Sequence, residues 1–262
     1  MKNSKIGICH ICGENKQLTF EHIPPRSALN ENSVNFYNSL EQIQSGNHPW
    51  SFDGLRYKQS QKGAGGYTLC EQCNNNMGTW YVNDFVDFII KSYDSIKEYE
   101  IKENNIIYIN TIGIYPLRIF KSILAMFCSI NGENFSDNKG IRRLLLNKFE
   151  KGIDGNYGIS LYAFTGSIMR RTGITAIAYN NGNIRVVSEL SWIPFGFIYD
   201  VNKENNKDNF CITEFAKYGY DEKADITLKL AVREVNTAFA TDFRNKNEII
   251  LQSNKNNEYN SP

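Results

Sequence analysis

Four of the six cysteines fall into two Cys-x-x-Cys pairs, Cys9 with Cys12 and Cys70 with Cys73. In a reducing compartment this pattern signals a bound metal more often than a disulfide. Two thiolates separated by two residues point into one tetrahedron when the backbone makes a tight knuckle, and a second knuckle completes a closed all-thiolate zinc site. Gly65-Gly66 and a short apolar stretch, Tyr67 to Leu69, lead into the second pair as a strand would. A redox site, or two unrelated cysteine pairs, are the alternatives for the same residues. Cys128 lies in an amphipathic helical segment and Cys211 in a strand-like one, so both read as small buried hydrophobes.

Between the knuckles runs Leu18-Thr19-Phe20-Glu21-His22-Ile23-Pro24-Pro25-Arg26-Ser27. On an extended segment alternate residues face opposite sides, which pairs Phe20 with His22 and Glu21 with Ile23. The prolines end the strand. His22 is one of three histidines in the chain, and it alone has a carboxylate beside it and an arginine four residues on. By itself it reads equally well as a structural histidine in the core of a zinc module.

Taken together, Cys-x-x-Cys, then Glu-His, then Cys-x-x-Cys-Asn resembles the HNH endonucleases. Within them the pattern is similar to the four-cysteine, endonuclease VII type, whose active hairpin and helix (the ββα-metal unit) sit on a treble-clef zinc knuckle. The matching residues are Cys9, Cys12, Glu21-His22, Cys70 and Cys73-Asn74, in about the first third of the chain. The resemblance implies that the four cysteines hold a structural zinc and that His22 is the general base. It also implies that Glu21, where the family commonly has aspartate, and Asn74 bind a catalytic divalent cation, Mg²⁺ or Mn²⁺. Met77 and Gly78 stand near the point where the family usually has a further polar contact, leaving Asn75 or Asn76 as candidates for it.

The chemistry is coherent on its own terms. Phosphodiester hydrolysis needs an activated water, a cation to neutralise charge on the departing oxygen, and in-line placement of both. A neutral imidazole takes a proton from water at cellular pH. A hard cation prefers one carboxylate, one amide oxygen, phosphate oxygens and water. Arg26 would clamp a non-bridging phosphate oxygen.

The elements that must position these groups follow from the rest of the sequence. Residues 30–66 are rich in Asn, Ser, Gln and Gly and read as a surface loop inserted between the two halves of the module. This loop carries His48-Pro49-Trp50 and the cations Arg56, Lys58 and Lys62. A solvated loop with Trp50 packed on the module is one reading, and a substrate-contacting loop with a stacking aromatic is the other. From Asn75 to about Glu98 apolar residues recur every three or four positions and predict a helix whose first turn carries Asn74.

The polar stretch 97–105 is the expected boundary between a nuclease module, residues 1–98, and an accessory domain, residues 99–252. In the latter, Ile106 to Tyr115 predicts a strand, Pro116 opens a helix running to about Asn131, and Leu144 to Phe149 predicts a short helix. Strands are predicted at 158–164, 174–179, 184–187, 193–199, 210–215 and 226–232, with Asn181-Gly182 as a hairpin turn. The fold class is therefore α+β, with an antiparallel sheet in the second domain. Arg170-Arg171 reads as a solvated turn, and the Asn- and Lys-rich residues 253–262 as a disordered tail.

The chain has 262 residues, 29 basic and 28 acidic side chains, 41% hydrophobic residues and a formal net charge of +1. This excludes a strongly basic nucleic-acid coat and makes any DNA affinity depend on local contacts or on an oligomer formed through the second domain. No apolar run is long enough for a membrane span, and the basic N-terminus lacks the apolar core of a signal peptide, so a cytoplasmic location is expected. The expected function is a metal-dependent DNA endonuclease, in anti-phage defence or a mobile element by analogy of domain layout. The alternatives are a non-catalytic zinc module binding nucleic acid or a protein partner, and a nuclease directed at RNA.

Overall fold

The computed structural model describes residues 5–97, 106–137, 140–166, 168–179, 181–202 and 209–259. The expected domain boundary falls largely on 98–105, outside the described residues. Up to residue 97 the elements are β1 (Lys5–Ile8), β2 (Asn15–His22), β3 (Val34–Tyr37), α1 (Ser39–Gln44), β4 (Tyr57–Ser60), β5 (Gly65–Cys70), α2 (Glu71–Met77) and α3 (Asn83–Ile96). One π-helical segment, Gly78–Val82, joins α2 to α3. Beyond it come β6 (Ile106–Ile114), α4 (Pro116–Ile130), α5 (Ile141–Leu146), β7 (Gly158–Gly166), β8 (Arg170–Ala178), β9 (Ile184–Trp192), β10 (Phe195–Asp200), β11 (Phe210–Cys211), β12 (Ala224–Val235) and α6 (Lys246–Tyr259). The fold is mixed α+β.

Three sheets form. Strands β1-β2-β5 make an antiparallel three-stranded sheet around the cysteines, and β3-β4 make a separate hairpin. The large sheet has the order β6-β12-β7-β10-β9-β8, with β11 beside β7. It is antiparallel except between β12 and β7, which run parallel, so the expected antiparallel sheet is in fact mixed. The Asn181-Gly182 turn joins β8 to β9, with Gly182 at φ +82°, a conformation that suits glycine.

Burial explains the layering. Helix α4 is buried around nearly its whole circumference, so it occupies the centre of the molecule, with Pro116 at its first turn. Helix α3 buries Phe85, Phe88, Ile89 and Ile96 at helical spacing, and Phe88 stacks on Phe195 of β10 with ring centres 5.4 Å apart. One continuous hydrophobic core runs from Cys9 through α3 and α4 to Val232. Polar ties reinforce it: the indole of Trp192 donates to Ala28 O at 3.1 Å, and Tyr81 donates to Leu145 O at 3.0 Å.

Several local expectations are corrected. Residues 30–66 are not a plain loop: they hold α1 and the β3-β4 hairpin, and buried Asn30 clasps the two ends of the insertion. Its amide donates to Pro24 O at 2.6 Å and to Ala64 O at 2.8 Å. The predicted strand 210–215 is a two-residue strand followed by a 3₁₀ helix, Ile212–Lys217. Cys128 is buried as expected, but Cys211 is only partly so. Residues 253–259 continue α6 as helix backbone rather than starting a disordered tail, and 260–262 lie outside the described residues.

The largest correction concerns Arg170-Arg171. Both lie in β8, not in a solvated turn. Arg170 is 2% exposed, and its Nη1 reaches Glu189 Oε1 at 3.0 Å while its Nε donates to Thr237 O at 2.9 Å. Tyr162 donates to the same Glu189 Oε1 at 2.5 Å. A buried arginine survives only when its charge and N–H groups are paired, and Glu189 and Thr237 supply that pairing.

This network makes one glycine indispensable. A Cβ at Gly196 of β10 would fall 1.9 Å from Cζ of Tyr162, whose ring is fully buried and held by Glu189. Gly196→Ala is expected to destabilise the protein by about 2–4 kcal/mol, because neither strand nor ring can yield. A urea titration giving less than about 0.5 kcal/mol would contradict this rigidity.

Candidate metal centre and adjoining pocket

The first knuckle is the β1-β2 turn, and the second is the junction of β5 with α2, where Cys70 is the N-cap residue. Pairing of β2 with β5 brings Leu18 opposite Cys70 and closes the long interval between the cysteine pairs. The Sγ atoms of Cys9, Cys12, Cys70 and Cys73 all lie within 4.8 Å of one another, with Cys12 and Cys70 at 3.9 Å. A tetrahedral zinc with Zn–S bonds of about 2.3 Å requires sulfur pairs about 3.8 Å apart. The cluster is therefore compatible with zinc.

Its electrostatics favour thiolate at Cys9, while burial pushes the Cys12 thiol up. The hydrogen bond from the Cys73 thiol, assisted by backbone N–H groups including that of Cys70, pulls Cys9 down to about 4 against the cost of burial. Cys73 moves up correspondingly, because it keeps the shared proton. The C-terminal half braces the knuckle: Arg142 Nε and Ser136 Oγ both donate to Ile11 O, and the His10 ring lies 3.0 Å from Cys128 O.

Beside the cluster is an open pocket of about 230 Å³. Glu21, His22, Arg26 and Asn74 all line it, drawn from the end of β2, the segment after it and the second turn of α2. Glu21 and His22 reach one pocket although strand alternation assigns them to opposite faces. The β2-β5 register shifts between Thr19 and Phe20, where β5 carries one extra residue, Thr68, whose hydroxyl meets the Glu21 carboxylate. Phe20 and His22 do share a face, their rings meeting edge-on at 5.2 Å. Gly65 permits the close approach, since a Cβ there would fall 2.3 Å from Glu21 O.

Each polar group is held differently. Asn74 Nδ2 donates to Thr19 Oγ1 at 3.0 Å, and Thr19 Oγ1 in turn donates to Leu69 O, so the amide oxygen of Asn74 is the end left for a ligand. Thr68 donates to Glu21 Oε1. His22 Nε2 is buried and has no hydrogen-bond partner. Such an atom beside a pocket calls for a water or ligand oxygen. Arg26 is exposed at the rim.

Burial pushes the Glu21 carboxyl up from 4.5 to about 7, opposed by the Ser129 and Thr68 hydroxyls and the Arg171 charge, while Cys9 adds to the rise. Without a cation this group favours the folded state below pH 4.5 and loses that contribution as pH rises through about 7.

The donor types fit a hard divalent cation: a carboxylate oxygen and an oriented amide oxygen among the residues that line one pocket. Asn75 and Asn76 do not line the pocket; Met77 and Gly78 do, so neither candidate for the further contact is placed there. Three sets of residues were missed from sequence. Ser122, Ala125 and Met126 of α4 line the pocket, Thr19 and Thr68 hydrogen-bond the Asn74 and Glu21 side chains, and the charge of Arg171 acts on Glu21 while its Nη1 donates to Gly65 O at 3.1 Å. The run of β-branched residues after Arg171 signals a strand, but nothing local connects that strand to Glu21.

No protein-family model matches the chain, and comparison with curated proteins and with solved structures finds no match. Among the described residues no helix is long and apolar enough to cross a membrane.

Proposed function

We propose that the chain is a divalent-metal-dependent endonuclease of the HNH class, hydrolysing DNA phosphodiester bonds, with the four cysteines holding a structural zinc. The observation that carries this reading is the single pocket lined by Glu21, His22, Arg26 and Asn74 beside the thiol cluster. In this reading Glu21 and Asn74 hold Mg²⁺ or Mn²⁺, and the cation supplies neutralisation of charge at the departing 3′ oxygen. His22 takes the proton of the attacking water at Nε2. Arg26 binds a non-bridging phosphate oxygen and fixes the strand at the pocket mouth. Thr19 and Thr68 hold the two ligand side chains in place beforehand, which lowers the cost of assembling the site.

The test is incubation of the zinc-loaded protein with supercoiled plasmid and Mg²⁺ or Mn²⁺. Nicked and linear products with 5′-phosphate ends are expected. Intact plasmid with both cations, alongside cleaved structured RNA, would redirect the assignment to RNA; inertness on both would leave a binding module.

A pH dependence follows from Glu21. Its carboxyl must lose a proton to bind a cation, so Mn²⁺ affinity should fall by up to about tenfold per pH unit below about 7 and level off above it. Arg171 and Cys9 are the charged groups acting on this carboxyl, and His22 shares the pocket. Calorimetric titration between pH 5.5 and 8 on the native protein and on His22→Ala checks it. The dependence should persist without the imidazole, and a flat profile would remove Glu21 as a ligand.

A further inference from the structure

A second cavity, of about 400 Å³, lies between the inserted segment and β8. It is within the size range of small-molecule sites, about 300–1,000 Å³. Its lining includes three aromatic residues, Phe36 and Tyr37 of β3 and Phe52 from the same insertion, with Tyr37 and Phe52 rings 4.4 Å apart and tilted by 31°. Strand β8 contributes Arg171 and Thr172 to the lining. Gln42 of α1, 4% exposed, also borders the cavity. Its amide nitrogen donates to His48 O at 3.1 Å, and its Oε1 accepts no hydrogen bond among the described residues.

The two adjacent arginines differ in their pairing. Arg170 is spent on Glu189, Thr237 and the Asp242 backbone. The Arg171 side chain, partly buried, makes one hydrogen bond among the described residues, to Gly65 O, and no ion pair. The acidic group whose charge acts on it is Glu21. A guanidinium has five N–H donors, and none of those on Arg171 is both sealed from solvent and unpaired, so the ones that Gly65 O does not use are open to a ligand. An anionic oxygen pair facing the cavity would satisfy them in the fork geometry that arginine offers.

We propose that this cavity is a second ligand site, separate from the hydrolytic pocket, that takes a flat aromatic ligand of mononucleotide size bearing an anionic group. The ring packs against Phe36, Tyr37 and Phe52, the anion pairs with Arg171, and Gln42 Oε1 accepts from an N–H on the ring edge. The same chemistry comes from a free nucleotide or from one nucleotide unit of a strand. The assignment stands whether or not the first pocket hydrolyses phosphodiesters.

Calorimetry on the full, zinc-loaded chain without added divalent cation tests it. The probes are the four ribonucleoside 5′-monophosphates, the matching nucleosides, inorganic phosphate and a 5′-phosphorylated trinucleotide. At least one monophosphate or the trinucleotide should bind tenfold or more tightly than its nucleoside; the tighter of the two identifies the source. Arg171→Gln, whose amide retains a donor for Gly65 O, should erase that tenfold difference. Phe36→Ala should weaken nucleotide and nucleoside alike by about tenfold, and it decides the matter if the arginine variant does not fold. Equal affinity for nucleotide and nucleoside, no binding of any probe at millimolar concentration, or unchanged binding by both variants would overturn the proposal.

Discussion

Replacing Cys70 with serine is expected to abolish stoichiometric zinc and to unfold the N-terminal third of the protein. Cys70 is at once one of four clustered thiols, the N-cap of α2 and the residue whose backbone N–H donates to Cys9 Sγ at 3.3 Å. The loss therefore reaches the metal site and the start of the helix that carries Asn74. Structural zinc contributes about 10–16 kcal/mol of apparent binding free energy in small zinc modules, comparable with the whole stability of a domain at about 5–15 kcal/mol. The module cannot make up that deficit from its own apolar contacts. Cys211→Ser, which changes a cysteine outside the cluster, is the control and should retain full metal content. Elemental analysis of both purified variants, with their thermal melts, checks the result; a Cys70→Ser protein with full zinc and a native melt would contradict it.

His22→Ala should lower the rate of DNA cleavage by about 10²- to 10⁴-fold, the usual contribution of a positioned general base, and leave the fold intact. His22 lines the pocket, its edge-on contact is with Phe20, and its Nε2 has no partner to lose. Truncation thus removes a proton acceptor without stranding a buried hydrogen-bonding group, unlike the loss of Glu189 or Arg170. Zinc content and circular dichroism should match the native protein, which separates the chemical role from the structural one. Added imidazole should restore part of the activity, since a small base can occupy the vacated space. Cleavage by the variant within threefold of the native rate would remove His22 from the chemistry.

The sequence made the residue types and their local spacing legible. Two Cys-x-x-Cys pairs specify two knuckles because thiolate convergence is decided within four residues of backbone. The Glu-His pair at the end of a strand, the helix that buries Phe85, Phe88 and Ile89, and the Pro116 helix start could be read for the same reason: each depends on neighbours within a turn or two. Arg170-Arg171 was misread because a charged pair looks solvated until its partners are known. Those partners, Glu189, Thr237 and Gly65, lie 19, 67 and 106 positions away.

The tertiary structure alone decided how the pocket is walled. Ser122, Ala125 and Met126 line it because α4 is buried around nearly its whole circumference between the cysteine module and the sheet, and no periodicity in a helix apolar nearly all round says which stripe meets which neighbour. The β2-β5 pairing that sets Thr68 against Glu21, and the hairpin that borders a second cavity against β8, likewise arise from pairings across long stretches of chain. Local chemistry wrote the ligands into the sequence. The space between them was set by long-range packing, where the free energy of a contact depends on what the rest of the chain has already placed beside it.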